Sequence, residues 1–353
     1  MKYVSNKELQ PGMCVARPIY GEDGQVLLNS GVILNESYIA RLYSNGVPGA
    51  FILTDHDEEV EIPEVVTQRT RQNVIGHVRN VFESIELGKT FDMGYLTDSV
   101  TAIIDEVTAN PNVLINLTDI RTFDGTIFAH CVNVCILSII IGIKCSLNEL
   151  ELRELAIGSI LHDIGKICIP TQILQKQGPL TQNEFDLVKK HTVNGWNILR
   201  NNHGIPLLSA HIAYQHHEQP NGKGYPRELL DEQIYLFAKI VAVADAYDAM
   251  TSARVYRQGM MPFQALRVIR QLREIQFNAA VADLLISSVA PYPIGARVLL
   301  SNAEIGVVVD VNAAERERPV VRLLFRADGS KYQLPREVNL MNEHSLRIIR
   351  SLP

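Results

Sequence analysis

Five of the ten histidines form a pattern with two aspartates: His130, His162-Asp163, His191, His216-His217 and Asp245. Each alone is ordinary, because a helical histidine is more often packed or solvated than a ligand. Their grouping points to metal chemistry. His162-Asp163 and His216-His217 each close a helical stretch, before Gly165 and before the turn Asn221-Gly222-Lys223-Gly224. Asp245 follows the apolar run Ile240-Val241-Ala242-Val243-Ala244, where a buried carboxylate is costly unless paired or metal-bound. Helical bundles build metal sites from imidazoles and carboxylates on several helices. This set exceeds one tetrahedral zinc and suits two five- or six-coordinate ions, iron or manganese by donor type. Asp163, with two oxygens, could bridge them. Two divalent ions outweigh two carboxylates, even with a bridging hydroxide, so the site would draw an anion. Two metals about 4 Å apart are a standard device for phosphoester hydrolysis. Lys166, three residues after Asp163, and Arg254 and Arg257, beyond Asp245, could hold phosphate oxygens. Their plain alternatives are a charge favoured at a helix C-terminus for Lys166 and solvated surface for the arginines.

The elements that must carry these residues are helical. Residues 98–290 read as nearly all helix. Ser146-Leu147-Asn148-Glu149 reads as a capping box opening a helix that runs to His162, with Gly165 and Pro170 beyond. Thr181-Gln182-Asn183-Glu184 opens another, with Phe185, Val188 and Leu199 facing inward. Ile234 to Met250 is apolar over most of its circumference and predicts a central buried helix. Pro262 suits the first turn of a helix over Phe263 to Arg273.

Upstream, residues 63–97 read as a helical linker carrying Val74, Val78, Val81, Phe82 and Ile85, and a second helix spans Thr97 to Thr108. Residues 1–62 read as a small α+β regulatory module. Val26–Leu28 and Val32–Leu34 suggest a hairpin around Asn29-Ser30-Gly31, followed by a helix over Glu36 to Ser44 and a strand ending at Leu53. The acidic run Asp55 to Glu61 reads as solvated. Residues 291–353 read as a β-rich module, with strands at Val298–Leu300, Gly306–Val311 and Val320–Phe325 and a hairpin at Gly329. The expected fold class is mainly α: a helical bundle at 98–290 as catalytic domain, with small β-rich N-terminal and C-terminal modules.

Composition narrows the function classes. The 353 residues are 46% hydrophobic and 20% charged, which excludes wholesale disorder. The net charge of -6 makes a general polyanion binder a poor expectation, and the C-terminal module, with nine basic and seven acidic residues, carries no nucleic-acid footprint. The longest apolar run, Ile136 to Ile143, is short of a membrane span, and Met1 to Gln10 lacks the apolar stretch of a secretory signal. Cysteines at 14, 131, 135, 145 and 168 are odd in number and form no C-x-x-C pair, which predicts reduced thiols in a cytoplasmic protein. Cys131 and Cys135 stand one helical turn apart; core thiols are the simpler reading, a metal pair the other.

Beyond these readings lies a resemblance. His162-Asp163-Ile164-Gly165-Lys166 resembles the signature of the HD superfamily of metal-dependent phosphohydrolases. His216-His217-Glu218, Gly222 and Gly224-Tyr225-Pro226 resemble that of its HD-GYP subfamily, and Asp245-Ala246-Tyr247-Asp248-Ala249-Met250-Thr251-Ser252 with Arg254 to Arg257 continues the pattern. The similarity covers about residues 120–290. It implies an HD-type helical bundle that hydrolyses cyclic di-GMP, a bacterial second messenger, to pGpG and onward to GMP. It further implies that His130, His162, Asp163 and Asp245 hold one ion, and that Asp163 bridges to a second held by His191, His216 and His217. A metal-bridging hydroxide would attack phosphorus, with Asp163 and Lys166 as catalytic residues and Lys166, Arg254 and Arg257 on phosphate. Members with three metals carry a glutamate four residues before the first metal histidine; Thr126 stands there, with Asp124 further back, which favours a binuclear centre. Phe277-Asn278-Ala279 replaces a frequent Phe-Asp-Pro, and Asn278 can still cap a helix. Gly224, Tyr225 and Pro226 either shape a turn or meet substrate or a protein partner. A weakly catalytic cyclic dinucleotide receptor, and a phosphodiesterase for cyclic GMP-AMP, remain alternatives. A homodimer through the long helices is a further expectation.

Overall fold

The computed structural model describes residues 2–21, 26–45, 47, 49–53, 64–89, 91, 93–109, 127–202, 204–252 and 259–352. The acidic run at 55–61, Asp124, Thr126, Arg254 and Arg257 lie outside these residues.

The N-terminal segment pairs β1 (Lys2–Ser5) antiparallel with β4 (Gly49–Ile52), and β2 (Ile19–Tyr20) with β3 (Val26–Leu28). Between β3 and β4 lies α1 (Glu36–Ser44), capped by the Asn35 side chain. The hairpin expected between 26–28 and 32–34 does not form. Leu28 pairs with Ile19, whereas Val15 N–H donates to Val32 O at 2.9 Å and Leu34 N–H to Met13 O at 2.7 Å. Both segments fold back on residues 13–20, and Leu27, Leu28 and Leu34 are thereby buried together.

The bundle begins with α2 (Gln68–Glu86) and α3 (Met93–Ala109). Val74, Val78, Val81 and Phe82 enter the same core as α3, so α2, expected as part of a linker, contributes a face to the bundle. Next come α4 (Ile127–Lys144), α5 (Glu149–Ile160), the single turn α6 (Thr171–Leu174), α7 (Gln182–Arg200) and α8 (Leu207–Gln215). The bundle closes with α9 (Leu236–Thr251), α10 (Pro262–Gln271) and α11 (Ala279–Ser288).

α4 separates two cores. Cys131, Cys135, Ile136 and Ile139 face α2, α3 and α5, while Val134, Leu137 and Ile141 face α9, α10 and α11. The sequence reading stops the apolar run at Ile143, but α4 is long and apolar enough, by length and composition, to cross a membrane; 67% of it is buried inside the protein. A helix buried on both sides has no need of a polar face.

Capping follows local chemistry, with one shift. Asn148, not Ser146, caps α5: its side chain accepts the Glu151 N–H at 3.0 Å, and Glu151 accepts the Asn148 N–H at 2.8 Å. Ser146, at φ 60°, instead closes α4, donating its N–H to Ile143 O. Thr181 and Glu184 form the expected capping box of α7. Phe185, expected inward, is 43% exposed, while Leu199 is fully buried. The helix over Ile234 to Met250 is observed as α9, Pro262 opens α10, and Asn278 caps α11.

The C-terminal sheet contains β5 (Arg297–Leu300), β6 (Ile305–Asp310), β7 (Val320–Phe325), β8 (Lys331–Asn339) and β9 (Ile348–Leu352). All neighbours are antiparallel, in the order β8-β7-β6-β5-β9. Val298, Leu300, Val308, Val321 and Leu323 fill its own core, and Gly329, at φ 81°, makes the β7–β8 turn.

Candidate metal centre

Three helix ends and two helix interiors converge on Asp163. His130 stands in the first turn of α4, and Asp245 and Asp248 project from α9. α5 stops at Ile160, and the chain turns through His162 and Asp163 into a 3₁₀ segment, Ile164–Cys168. Gly165 lets that segment lie directly on α7: a Cβ there would stand 1.9 Å from His191 O and 2.5 Å from Gly195 N. His191 is thus held beside Asp163. His216 caps the C-terminus of α8, and His217 follows it. Gln215 joins that end to α9 by accepting the Tyr235 N–H at 2.9 Å.

The geometry divides the ligand candidates into two groups. His130 Nε2 lies 3.1 Å from Asp245 Oδ1 and 3.8 Å from Asp163 Oδ2, and His162 Nε2 is 3.4 Å from the same Oδ2. On the other side, His191 Nε2 is 3.5 Å and His216 Nε2 3.9 Å from Asp163 Oδ1. His191, His216 and His217 form one constellation able to hold a metal, and His130, His162 and Asp245 another; His162, Asp163 and His216 form a third between them.

The residues fit cations. The Nδ1 of His162 lies 2.7 Å from Ser159 O, that of His191 2.6 Å from Val188 O, and that of His216 3.1 Å from Ala213 O. A carbonyl only accepts, so each Nδ1 carries a proton, and a ring with that single proton offers a bare Nε2. The Nε2 atoms of His191 and His216 then face each other at 3.3 Å. Two lone pairs at that distance repel unless a cation sits beside both. Among the described residues, His162 Nε2 and Asp163 Oδ1 are buried without a hydrogen-bond partner, a costly state that a metal ion would relieve.

Electrostatics support the same reading. Burial depresses His191, lowers His217 to about 3 and holds His216 well below the usual range, so these rings are neutral near pH 7. Burial pushes the Asp163 carboxyl up, but Lys166 and the neighbouring imidazoles outweigh it and keep the group ionised. Lys166 Nζ contacts Asp163 Oδ2, and although burial disfavours its charge, Asp163 raises its pKa. Burial likewise opposes a charged His130, yet hydrogen bonds to Asp245 and Asp248 raise it to about 10. A divalent ion and that proton compete for the same Nε2.

Beside the histidines, the Tyr225 ring stacks on His217 at 4.7 Å between centroids, and Phe185 meets Tyr225 edge-on at 6.3 Å. Gly224 permits this seat, since a Cβ would stand 2.3 Å from Gln219 N. Pro226 follows in a cis peptide. Cys131 and Cys135 are buried and free, and burial pushes Cys135 up to about 12, as suits packed thiols.

Four residues had no assigned role in the sequence reading. Glu218 is 2% exposed and accepts the N–H groups of Arg227 at 2.7 Å and Leu229 at 2.9 Å, pinning the loop that carries Tyr225. Asp248 accepts from His130 Nδ1 at 2.7 Å and from Asn133 Nδ2 at 3.0 Å; Asn133 Oδ1 accepts from Arg71 at 3.1 Å. Asp248 and Asn133 each follow a ligand candidate by three residues on the same helix, a signal that was available. Arg71 carried none.

Fold and centre together define a class: helical, metal-dependent phosphohydrolases of the HD type. Residues 111–281 match the HD domain family, and residues 297–353 match the KOW domain associated with HD domain. A cyclic di-GMP phosphodiesterase of Pseudomonas aeruginosa is 34% identical over 284 residues, covering 80% of this chain and 67% of its own. A cyclic di-GMP phosphodiesterase of Thermotoga maritima is 42% identical over 141 residues, covering 40% of this chain and 38% of its own. A solved structure titled as an HDG"Y"P protein from Bdellovibrio bacteriovorus shares the fold, with a TM-score of 0.56, 19% identity and coverage of 81% of this chain and 98% of its own. The chain belongs to the HD-GYP branch of the HD domain family.

Proposed function

We propose that the chain hydrolyses cyclic di-GMP to pGpG, GMP or both at a centre of two divalent cations. One cation is held by His130, His162 and Asp245, the other by His191, His216 and His217, with Asp163 between them. The observation that carries this reading is the position of Asp163, whose Oδ2 faces one imidazole group and whose Oδ1 faces the other. Two such ions, when bound, would supply a nucleophile at neutral pH and offset the charge developing on phosphorus. The nitrogen and carboxylate donor set, without thiolate, suits iron or manganese.

The protein's own residues organise the reaction. The backbone carbonyls at Ser159, Val188 and Ala213 hold three rings with Nε2 presented to the centre. Lys166, protonated beside Asp163, offers a fixed positive charge to a phosphate oxygen; the oxygen of water bonds to phosphorus as the bond to the 3'-oxygen breaks, and a proton of that water goes to the departing 3'-oxygen. Arg254 and Arg257 add guanidinium contacts on this reading. Tyr225, half-buried against His217, forms a wall of the site; Lys223, Arg227 and Glu228 are the exposed loop residues a protein partner would meet. The unpaired cysteines suit a reducing cytoplasm. Residues 1–62 serve as the regulatory module and 291–353 as a separate C-terminal unit.

The reading is tested by removing metal with chelator and following cyclic di-GMP by chromatography after anaerobic return of ferrous or manganous ion. Product only after metal return supports it; turnover by the chelated protein refutes the metal chemistry. Cyclic GMP-AMP run in competition assigns the base preference.

A further inference from the structure

We propose that Arg71, on α2, is a positioning residue that sets the ligating face of His130 and so governs the affinity of one of the two cations, not both. This inference rests on the two-cation reading above. Arg71 is 1% exposed, unusual for a guanidinium. Its Nε donates to Val66 O at 3.2 Å, and its NH1 donates to Asn133 Oδ1 at 3.1 Å. A guanidinium has no acceptor, so Asn133 must turn its oxygen to Arg71 and its NH₂ to Asp248. Asn133 Nδ2 then donates to Asp248 Oδ1 at 3.0 Å, and Asp248 Oδ2 faces His130 Nδ1 at 2.7 Å. A carboxylate accepting on both oxygens places the His130 proton on Nδ1 and leaves Nε2 toward Asp245 and Asp163. The donor-only end thus decides an amide orientation and, through two intervening residues, an imidazole tautomer.

His130 differs here from the other ligand candidates. His162, His191 and His216 are oriented by backbone carbonyls of their own chain segment, three residues back. His130 depends on side chains from α4, α9 and α2. All three members are buried: Arg71 at 1%, Asn133 at 2% and Asp248 at 1% exposed. The first turn of α2 is itself anchored to α3, since Glu106 accepts the Thr67 N–H at 2.6 Å and the Thr70 hydroxyl at 2.5 Å. Arg71 therefore enters the bundle from a fixed helix start.

The test is Mn²⁺ alone, titrated calorimetrically into chelated protein, with electron paramagnetic resonance reporting coupled or single ions. Wild type should bind two ions with a coupled signal. Arg71→Met should weaken one ion by about 10- to 100-fold, the usual effect of losing an outer partner of a ligating histidine, and show a single-ion signal at limiting metal. The second ion should keep its wild-type affinity. Arg71→Lys, which can still donate to Asn133, should recover part of the loss. On an Asp248→Asn background, Arg71→Met should add almost nothing, because the relay is already cut. Should Arg71→Met show no cooperative melt, Asn133→Ala is read in its place and should weaken the same ion. Wild-type affinity for both ions in the folded variant, equal weakening of both ions, or full additivity with Asp248→Asn would overturn the inference. Failure of the wild-type chain to bind Mn²⁺ would overturn the two-cation reading with it.

Discussion

Gly165→Ala tests how the two halves of the centre are held together. The added Cβ would lie 1.9 Å from His191 O, 2.5 Å from Gly195 N and 2.8 Å from His191 C. All three neighbours are backbone atoms, so no side chain can swing aside. Ordinary contact needs roughly 3.5 Å, so the segment after Asp163 and α7 must part by roughly 1.5 Å. Overpacking of this kind costs about 1–3 kcal/mol, and a backbone clash belongs at the upper end, about 3 kcal/mol. The same displacement pulls His191 from Asp163, whose Nε2–Oδ1 separation is 3.5 Å. A misplacement of about 1 Å near reacting groups can cost about 100-fold in rate. The assay is thermal melting of chelated protein, followed by counting of bound Mn²⁺. Gly76→Ala is the control, since none of the described residues stands within 4 Å of a Cβ at that helical position. The Gly165 variant should melt clearly below wild type and bind the His191-side ion poorly, while the control matches or exceeds wild type. A Gly165→Ala protein with unchanged melting and both ions bound would refute the close-packing account.

Three further outcomes are expected. Chelated protein should be most stable near pH 6.5. Below that, the unfolded chain takes up protons that His217, at about 3, refuses, costing up to about 1.4 kcal/mol per pH unit; above it, stabilisation from His130 is lost as pH rises toward about 10. Urea midpoints from about pH 4 to about pH 9 check this, and a monotonic rise would contradict it. Glu218→Gln replaces one of two accepted backbone bonds by facing donors, and should cost about 1–3 kcal/mol and speed proteolysis within residues 219–229. Thiol labelling of native protein should be fastest at exposed Cys168 and absent at buried Cys131 and Cys135; modification of Cys135 without unfolding would count against the core packing.

Much of the candidate centre was legible because its ligand candidates come as paired residues at helix ends. His162-Asp163 and His216-His217 each precede a glycine-bearing turn, and a carboxylate inside the apolar α9 demands a partner. α9 itself, the Pro262 helix and the first three C-terminal strands follow from apolar pattern and turn residues. The misreadings concern partners distant in sequence. Periodicity shows that 26–28 and 32–34 are strand-like, not that both return to residues 13–20. Ser146 and Asn148 are equally good caps on paper; the left-handed close of α4 at Ser146 decides between them. Phe185 is apolar and early in an amphipathic helix, but the Tyr225 loop, not the core, stands beside it. The linker reading of α2 missed Arg71, because nothing near position 71 indicates that its partner is at 133.

The most direct test of the central claim is the fate of cyclic di-GMP with metal-loaded wild type and Asp163→Ala, purified anaerobically and compared by chromatography at equal protein. The account predicts pGpG or GMP from wild type and at most a trace from the variant, with its melting transition retained. Full turnover by Asp163→Ala would contradict it, because the two imidazole groups would then work without the carboxylate that joins them.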